Sequence, residues 1–323
     1  MNGLFDFAEP DGAFDRDGLR EKLRGLAARN VRIGGSSWKY EGWLDQIYTR
    51  ERYTTRGRFS KKRFEETCLA EYTSVFPTVC GDFAFYQFPS TEYWAKLFRS
   101  TPADFRWGLK VPEQITVAEW PLHARYGALA GQPNPTFLDA SLFRQAFLGA
   151  LRTWQAQVGV LIFEFGALQG KKFGGVKEFA RAIDAFLALL PSGWRYAIEI
   201  RNPELLSPIW FDTLRAHEVT HVYNAWSQMP EISEQIAIPG SRTSDMIVAR
   251  ALLRRGRTYE DAVKSFAPYR HVAEVNEPVR QGLRGLIDTA LVDGQPAFLF
   301  VNNRLEGNSP GTIVAITTDN VII

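Results

Sequence analysis

Cysteine and histidine are scarce in this sequence of 323 residues. The only cysteines are Cys68 and Cys80, and there are four scattered histidines: His123, His217, His221 and His271. Neither set has the clustering or the spacing of metal ligands. The sequence therefore predicts ordinary buried or surface side chains at these positions, in a reducing environment.

Long hydrophobic runs and a strong excess of one charge are also missing. No run is long enough to span a bilayer, and residues 1–12 are acidic, without the basic and apolar regions of a signal peptide. Lys and Arg total 38 against 36 Asp and Glu, a net charge of +2. This balance argues against a protein that binds nucleic acid over its whole surface. We therefore expect a cytoplasmic protein without a membrane partner.

Strand-like and helix-like patterns alternate after an amphipathic stretch at Leu19–Asn30. Eight strands are predicted, at 31–37, 79–86, 106–111, 158–165, 196–201, 220–225, 246–252 and 296–302. No glycine fingerprint of a phosphate-binding or dinucleotide-binding loop follows any of them. The pattern favours an α/β fold, a (β/α)8-like barrel of TIM type, regular or irregular, over an open doubly wound sheet. We predict an N-terminal extension at residues 1–30 and one barrel domain at residues 31–323.

The predicted loops differ in length on the two sides of the strands. Helix-to-strand links are short, whereas several strand-to-helix links are long: 38–60, 112–138, 166–175 and 226–244. Strand-to-helix loops build the active-site end of such barrels. The alternative is that these loops are tolerated insertions. The sequence therefore favours a functional site at the C-terminal ends of the strands.

The predicted fifth strand carries two opposite charges on one face. In Tyr196–Pro203, alternation sends Glu199 and Arg201 to one face, and Ile198 and Ile200 to the other. A strand between helical patterns is buried on both faces, so these charges are unfavourable unless they pair or have a function. If the sheet closes into a barrel, this face is the interior.

The same alternation places polar side chains from other strands at one rim. Lys110 ends the third strand and Glu164 the fourth, and the others are Asp82 and Tyr86 on one face of the second, Arg250 on the seventh, and Asn302 with Asn303 on the eighth. Such convergence from distant strands is typical of catalytic sets. The alternative is a buried salt-bridge network that fixes the register of the barrel.

Two functions remain open. The first is an enzyme, a hydrolase or lyase, that acts on a small anionic ligand, phosphorylated or nucleotide-like. Its catalytic residues would be Glu199, Glu164 and Lys110, and its substrate-binding residues Arg201, Arg250, Asn302, Asn303, Trp38, Tyr86 and Asp82. The rings of Trp38 and Tyr86 would stack on a base or sugar, or else pack the loops. A metal on Asp82 and the glutamates would compete with Lys110 and Arg201, so we predict no obligatory metal and no cofactor.

The second function is binding without catalysis. Residues 48–63 carry many basic side chains against one acidic residue, Glu51, with Tyr48, Tyr53 and Phe59 interleaved. Such a loop could bind nucleic acid or another anionic partner. A solvated basic loop is the more common explanation.

Five motifs occur together in order and spacing: Gly34–Tyr40, Phe85–Tyr86 with Pro89–Ser90, Phe105–Thr116, Glu199–Pro203 and Val301–Pro310. From about residue 31 to about 312 the chain resembles the YecE-like family, the domain of unknown function 72. The resemblance implies a TIM-type barrel and no assigned activity. The family's strand-end lysine falls on Lys110, its Glu-x-Arg on Glu199 and Arg201, its seventh-strand arginine on Arg250, and its paired asparagines on Asn302 and Asn303. The family usually has a glutamate and an asparagine in its second strand, where this chain has Cys80 and Asp82.

Overall fold

Eight parallel strands close into a barrel in the computed structural model, which describes residues 13–167 and 173–318. The strands are β1 Val31–Gly35, β2 Thr78–Gly81, β3 Arg106–Lys110, β4 Val158–Phe165, β5 Tyr196–Ile200, β6 Thr220–Ala225, β7 Ile247–Ala251 and β8 Ala297–Val301. Each pairs with its neighbours in sequence, and β8 pairs with β1. The predicted α/β barrel of TIM type is confirmed.

Helices lie before the first strand, between the strands and after the last one. They are α1 Arg16–Ala28, α2 Lys61–Tyr72, α3 Thr91–Arg99, α4 Glu113–Thr116, α5 Ala140–Leu142, α6 Gly149–Leu151, α7 Val176–Leu187, α8 Pro208–Ala216, α9 Ile232–Ala237, α10 Tyr259–Phe266, α11 Glu277–Asp293, α12 Asn303–Glu306 and α13 Ser309–Thr317. A π-helical turn, Phe143–Leu148, joins α5 to α6. None of the helices in the described ranges is both long and apolar enough to cross a membrane.

The N-terminal helix packs against the same hydrophobic core as the barrel. Asp15 caps it by accepting a hydrogen bond from the Gly18 amide at 2.8 Å. Its buried face consists of Leu19, Leu23 and Leu26, which share that core. Residues 1–12 of the predicted extension lie outside the described residues. The division at residues 30 and 31 stays a prediction.

The second strand is shorter than predicted. It ends at Gly81, and the chain turns at once, with the Phe85 amide donating to the Asp82 carbonyl at 3.0 Å. The turn lets the Phe83 ring pack edge-on against Trp94 and Trp107, with centroids 5.6 and 5.8 Å apart. The prediction that Asp82 and Tyr86 share one strand face is therefore wrong.

An apolar layer fills the barrel beneath its C-terminal end. It is formed by the inward side chains Cys80, Val160, Ile162, Ala197, Val222, Met246, Val248, Phe298 and Phe300. Gly108 on β3 makes room for Phe300, because a Cβ at this position would lie 2.4 Å from the ring. Side chains alternate between the two faces of a strand, so the next inward side chain lies two residues further along. These next inward side chains form a polar layer.

Candidate active site

Two glutamates lie side by side above the apolar layer. Glu164 on β4 and Glu199 on β5 are register partners, and both point into the barrel. Glu199 is completely buried and Glu164 nearly so. Arg250 on β7 lies between them, and its Nη1 donates to Oε2 of each carboxylate. One buried guanidinium thus bridges carboxylates from two neighbouring strands.

Two more cations reach the same glutamates. Lys110 Nζ is 3.0 Å from Glu164 Oε2, and Arg201 Nη2 is 2.8 Å from that same oxygen. Arg201 Nε also donates to Glu199 Oε1 at 3.2 Å. The structure therefore brings together five predicted site residues that come from four different strand ends.

The surrounding cations control the ionisation of Glu164. Burial raises the pKa of Glu164, but the charges of Arg201, Lys110 and Arg250 outweigh burial and hold the pKa well below its usual range. Burial lowers the pKa of Arg250, and the charge of Glu199 and the other neighbouring acidic groups more than offset this, so the pKa lies well above its usual value. Glu164 is therefore a carboxylate at neutral pH and cannot donate a proton.

Aromatic rings hold the two outer cations in place. Lys110 Nζ lies 3.7 Å from the centroid of the Phe85 ring, and the Arg201 guanidinium lies 3.6 Å from that of Trp226. Phe85 follows β2, and Trp226 directly follows β6. These rings fix the positions of Lys110 and Arg201. The sequence predicted the two cations but not this role of the two rings.

Asp82 is the most loosely held acidic member of the group. Its Oδ1 is 3.7 Å from both Lys110 Nζ and Arg250 Nη2, too far for a hydrogen bond, and this buried oxygen has no hydrogen-bond partner among the residues that the structure describes. The side chain is 45% exposed. Within the described residues, the group balances three cations against three carboxylates. No set of three His, Cys, Asp or Glu side chains in these ranges is arranged to hold a metal ion.

The two predicted asparagines lie at the end of β8 and bond to neighbouring segments. The Asn302 side-chain Nδ2 donates to Ser36 Oγ at 2.5 Å, and its Oδ1 accepts from the Arg304 backbone amide at 2.9 Å. Asn303 Oδ1 accepts from Trp43 Nε1 at 3.2 Å and from the Ser309 amide. Both asparagines thus fasten β8 to neighbouring loops and helix starts.

The two predicted stacking rings have different surroundings. Trp38 is buried and packs edge-on against Phe83 and Trp107, at 6.0 and 5.7 Å. Tyr86 is 48% exposed, and the Arg125 guanidinium lies 4.0 Å from its ring centroid. Trp38 therefore packs the core, while Tyr86 lies at the surface beside the long loop that follows β3.

Glu113 is a buried carboxyl that the sequence analysis missed. It is the first residue of α4, and its Oε2 accepts a hydrogen bond from the Tyr126 hydroxyl at 2.8 Å. Burial raises the pKa of Glu113, and the Tyr126 hydrogen bond and the charges of Arg125 and Lys110 only partly offset this. Strand alternation could not identify it because it lies beyond the strand, although it belongs to the motif Phe105–Thr116.

The basic loop at residues 48–63 turns its interleaved rings inward. Tyr48 and Tyr53 are buried and pack edge-on against Phe64, with centroids about 5 Å away. Arg56 and Arg58 are exposed around a short hairpin of Thr54–Thr55 and Arg58–Phe59. The tyrosines are therefore unavailable to stack on nucleic-acid bases.

Comparison with known proteins identifies the family. The family model described as "Protein of unknown function DUF72" matches residues 32–319. A search of curated proteins gave no match. A DUF72 family protein from Enterococcus faecalis V583 is similar in structure, with a TM-score of 0.58 and 17% identity over 89% of this chain and 94% of that one. One from Thermotoga maritima MSB8 has a TM-score of 0.56 and 17% identity over 89% and 96%. This chain belongs to the DUF72 family.

Proposed function

We propose that this chain is an enzyme, a hydrolase or a lyase, that acts on a small substrate with an anionic group at the C-terminal mouth of the barrel. The observation that carries the proposal is the meeting of Lys110, Arg201 and Arg250 on one oxygen of Glu164. A buried ion cluster often stabilises a fold no better than apolar residues of the same volume. Such clusters are more typical of functional sites, where charge is placed to act on a substrate.

The substrate's anionic group would bind to Lys110 and Arg201. These cations keep a little contact with solvent, whereas Arg250 is enclosed. A planar guanidinium stacked on Trp226 can offer two parallel N–H donors to a carboxylate or phosphate. The group of six charges is already balanced, so these directed donors, rather than net charge, would select the anion. Arg250 would position Glu164 and Glu199 from below.

Glu164 would be the ionised carboxylate that orients the attacking group. It remains ionised and reaches the mouth, whereas Glu199 is completely buried behind it. Glu164 would orient an attacking water or a substrate hydroxyl by accepting its hydrogen bond. Lys110, 3.0 Å away, would stabilise negative charge that develops on the substrate. Asp82, whose side chain is 45% exposed, would accept a hydrogen bond from the substrate at the mouth.

Turnover of a defined panel tests this function. The panel contains small phosphorylated, carboxylated and nucleotide-like compounds, and product formation is followed by mass spectrometry. We expect the wild type to convert at least one compound and Glu164→Gln to lower kcat about 100-fold or more. The matched control is Glu306→Gln, which alters another buried glutamate, ion-paired to Arg280 at 2.8 Å and fully enclosed.

The control variant should lose stability but keep its turnover. Circular dichroism must show that both variants fold. Failure of the wild type to convert any compound in the panel would contradict the proposal, as would full activity in Glu164→Gln.

Binding of nucleic acid by residues 48–63 is the second candidate, and it has less support because Tyr48 and Tyr53 are buried. Fluorescence anisotropy with single-stranded DNA separates the two functions. If this loop binds DNA, affinity falls steeply with salt, and the double variant Arg56→Glu with Arg58→Glu abolishes it. Glu164→Gln should leave such binding unchanged. We expect no binding that depends on these two arginines.

A further inference from the structure

We propose that Glu113 is the proton donor of this mouth and acts as the acid partner of the ionised Glu164. The inference rests on the proposed function and adds a residue that strand alternation does not reveal. It also restricts the substrate class, because a proton donor is needed when the bond that breaks has a poor leaving group such as an alkoxide.

The backbone of Glu113 is tied directly to the charged group. Its amide donates to the Phe85 carbonyl at 2.7 Å, and the Phe85 ring is the one that lies 3.7 Å from Lys110 Nζ. Lys110 and Glu113 are also separated by only two residues, Val111 and Pro112, at the end of β3. Glu113 therefore belongs to the same side of the mouth as Lys110.

Tyr126 orients the Glu113 carboxyl. The phenol donates to Oε2 at 2.8 Å and comes from the long loop after β3, so this loop covers the carboxyl. Glu113 itself is only 3% exposed. A carboxyl oriented by one hydrogen bond and shielded from bulk water is suited to hold a proton and deliver it in one direction.

The surroundings of Glu113 and Glu164 shift the pKa values of the two carboxyls in opposite directions. The groups that act on Glu113 are Tyr126 and Arg125 from the loop and Lys110 from β3, and together they do not cancel the effect of burial, so its pKa stays raised. Glu164 has three cations close by, and its pKa is lowered. Pairs of titratable groups pushed apart in this way are characteristic of acid and base assignments.

In hydrolysis, Glu113 and the attacking water each give up one proton. The Glu113 hydroxyl gives its proton to the leaving oxygen of the substrate as the bond to that oxygen breaks, which leaves Glu113 as a carboxylate. The attacking water, oriented by Glu164, adds its hydroxide to the substrate and releases its proton to solvent. Glu113 then regains a proton from solvent, so no other reactant is required.

Binding of inorganic sulfate, measured by calorimetry over a range of pH, tests the placement of this proton. Sulfate keeps the same charge over the range in which Glu113 titrates, so any change in affinity comes from the protein. If Glu113 faces the anion site, its protonation removes a nearby negative charge and tightens sulfate binding about tenfold as pH falls. In Glu113→Gln the affinity should be high and independent of pH in this range.

Two further variants sharpen the test. Tyr126→Phe removes a hydrogen bond that lowers the pKa of Glu113, so the midpoint of the pH dependence should move upward. The matched control is Glu231→Gln, since burial also raises the pKa of Glu231, in the loop after β6. This control should leave the pH dependence unchanged.

The outcomes separate this inference from the proposed function. If the wild type binds sulfate and Glu113→Gln keeps the same pH dependence, the inference is overturned and the anion site stands. If the wild type binds no sulfate, the anion site is contradicted, and carbon NMR of carboxyl-labelled glutamate then decides the state of Glu113. A Glu113 midpoint in the ordinary glutamate range overturns the inference, and a raised midpoint that Tyr126→Phe moves upward supports it.

Discussion

Glu164 shows how the neighbours of one residue determine its chemistry. A carboxylate in an apolar barrel would be strongly unfavourable on its own, and its pKa would rise. Three cations reverse the direction of that shift and keep Glu164 ionised. Because its pKa in the folded protein lies below that in the unfolded chain, its contribution to stability is present above the unfolded pKa and is lost in acid.

Removal of one of these cations should weaken the fold as well as the site. We expect Lys110→Met to lower the free energy of unfolding by about 3 kcal/mol at neutral pH, the low end for breaking a buried ion pair, since two arginines still face Glu164. The difference from the wild type should shrink as pH falls into the range in which Glu164 becomes protonated in the folded variant, because the two unfolded chains bind this proton equally. Urea unfolding at several pH values measures this.

The matched control for this variant is Lys61→Met. Lys61 is 71% exposed and lies 3.8 Å from Glu41, so its loss should change stability by less than about 1 kcal/mol. Equal losses of stability in the two variants would show that the buried cluster around Glu164 stabilises the fold no more than an exposed ion pair does.

At the scale of strands and helices, alternation was a good guide wherever an element was long and buried on both faces. The strands β4 and β6 have the predicted bounds, 158–165 and 220–225. The alternation of polar and apolar residues mispredicted the end of the second strand. The Phe83 ring packs against Trp94 and Trp107 instead of continuing the alternation, and β2 ends at Gly81. The last helix, Ser309–Thr317, was also missed, since its β-branched residues and glycine do not suggest a helix and its capping by Asn308 depends on the folded chain.

A strand-level contact can be tested at Gly108. A Cβ at this position would lie 2.4 Å from the Phe300 ring, so we expect Gly108→Ala to destabilise the barrel by about 1–3 kcal/mol. Adding Phe300→Leu should restore part of the loss by making space. Gly285→Ala in α11 should instead be neutral or stabilise by up to about 1 kcal/mol, because no atom of the described part of the chain lies within 4 Å of the added Cβ. Thermal unfolding of the variants measures both effects.

The packing of β6 against the helices predicts a pH dependence. His221 on β6 is completely buried against Phe211 and Tyr223, and neither ring nitrogen has a hydrogen-bond partner within the described residues. Burial lowers the pKa of His221 from 6.5 to about 3. At pH values between these two pKa values, the unfolded chain binds a proton that the folded chain does not, so stability falls as pH falls.

The substitution His221→Phe tests this pH dependence, because it removes the imidazole and keeps a ring at this position. The wild type should lose about 2 kcal/mol more than this variant between about pH 7 and pH 5, because only the wild type has an imidazole that is protonated on unfolding. Chemical unfolding at the two pH values gives the comparison. Parallel pH profiles would show that His221 is accessible to protons in the folded state.

At the scale of the whole molecule, the sequence predicted the barrel and the meeting of Lys110, Glu164, Glu199, Arg201 and Arg250, because a closed parallel barrel places the ends of all strands at one rim. It did not predict the roles of Phe85, Trp226 and Glu113, which lie beyond the ends of the strands. Loop positions are determined by tertiary packing rather than by a local period, so alternation carries no information about them.

The most direct test of the account is a crystal structure of the protein soaked in selenate, whose selenium gives an anomalous signal. We expect an anomalous peak at the C-terminal mouth, within hydrogen-bonding distance of Lys110 Nζ and the Arg201 guanidinium. A mouth without selenate, with the anion bound only at the exposed arginines of residues 48–63, would contradict it.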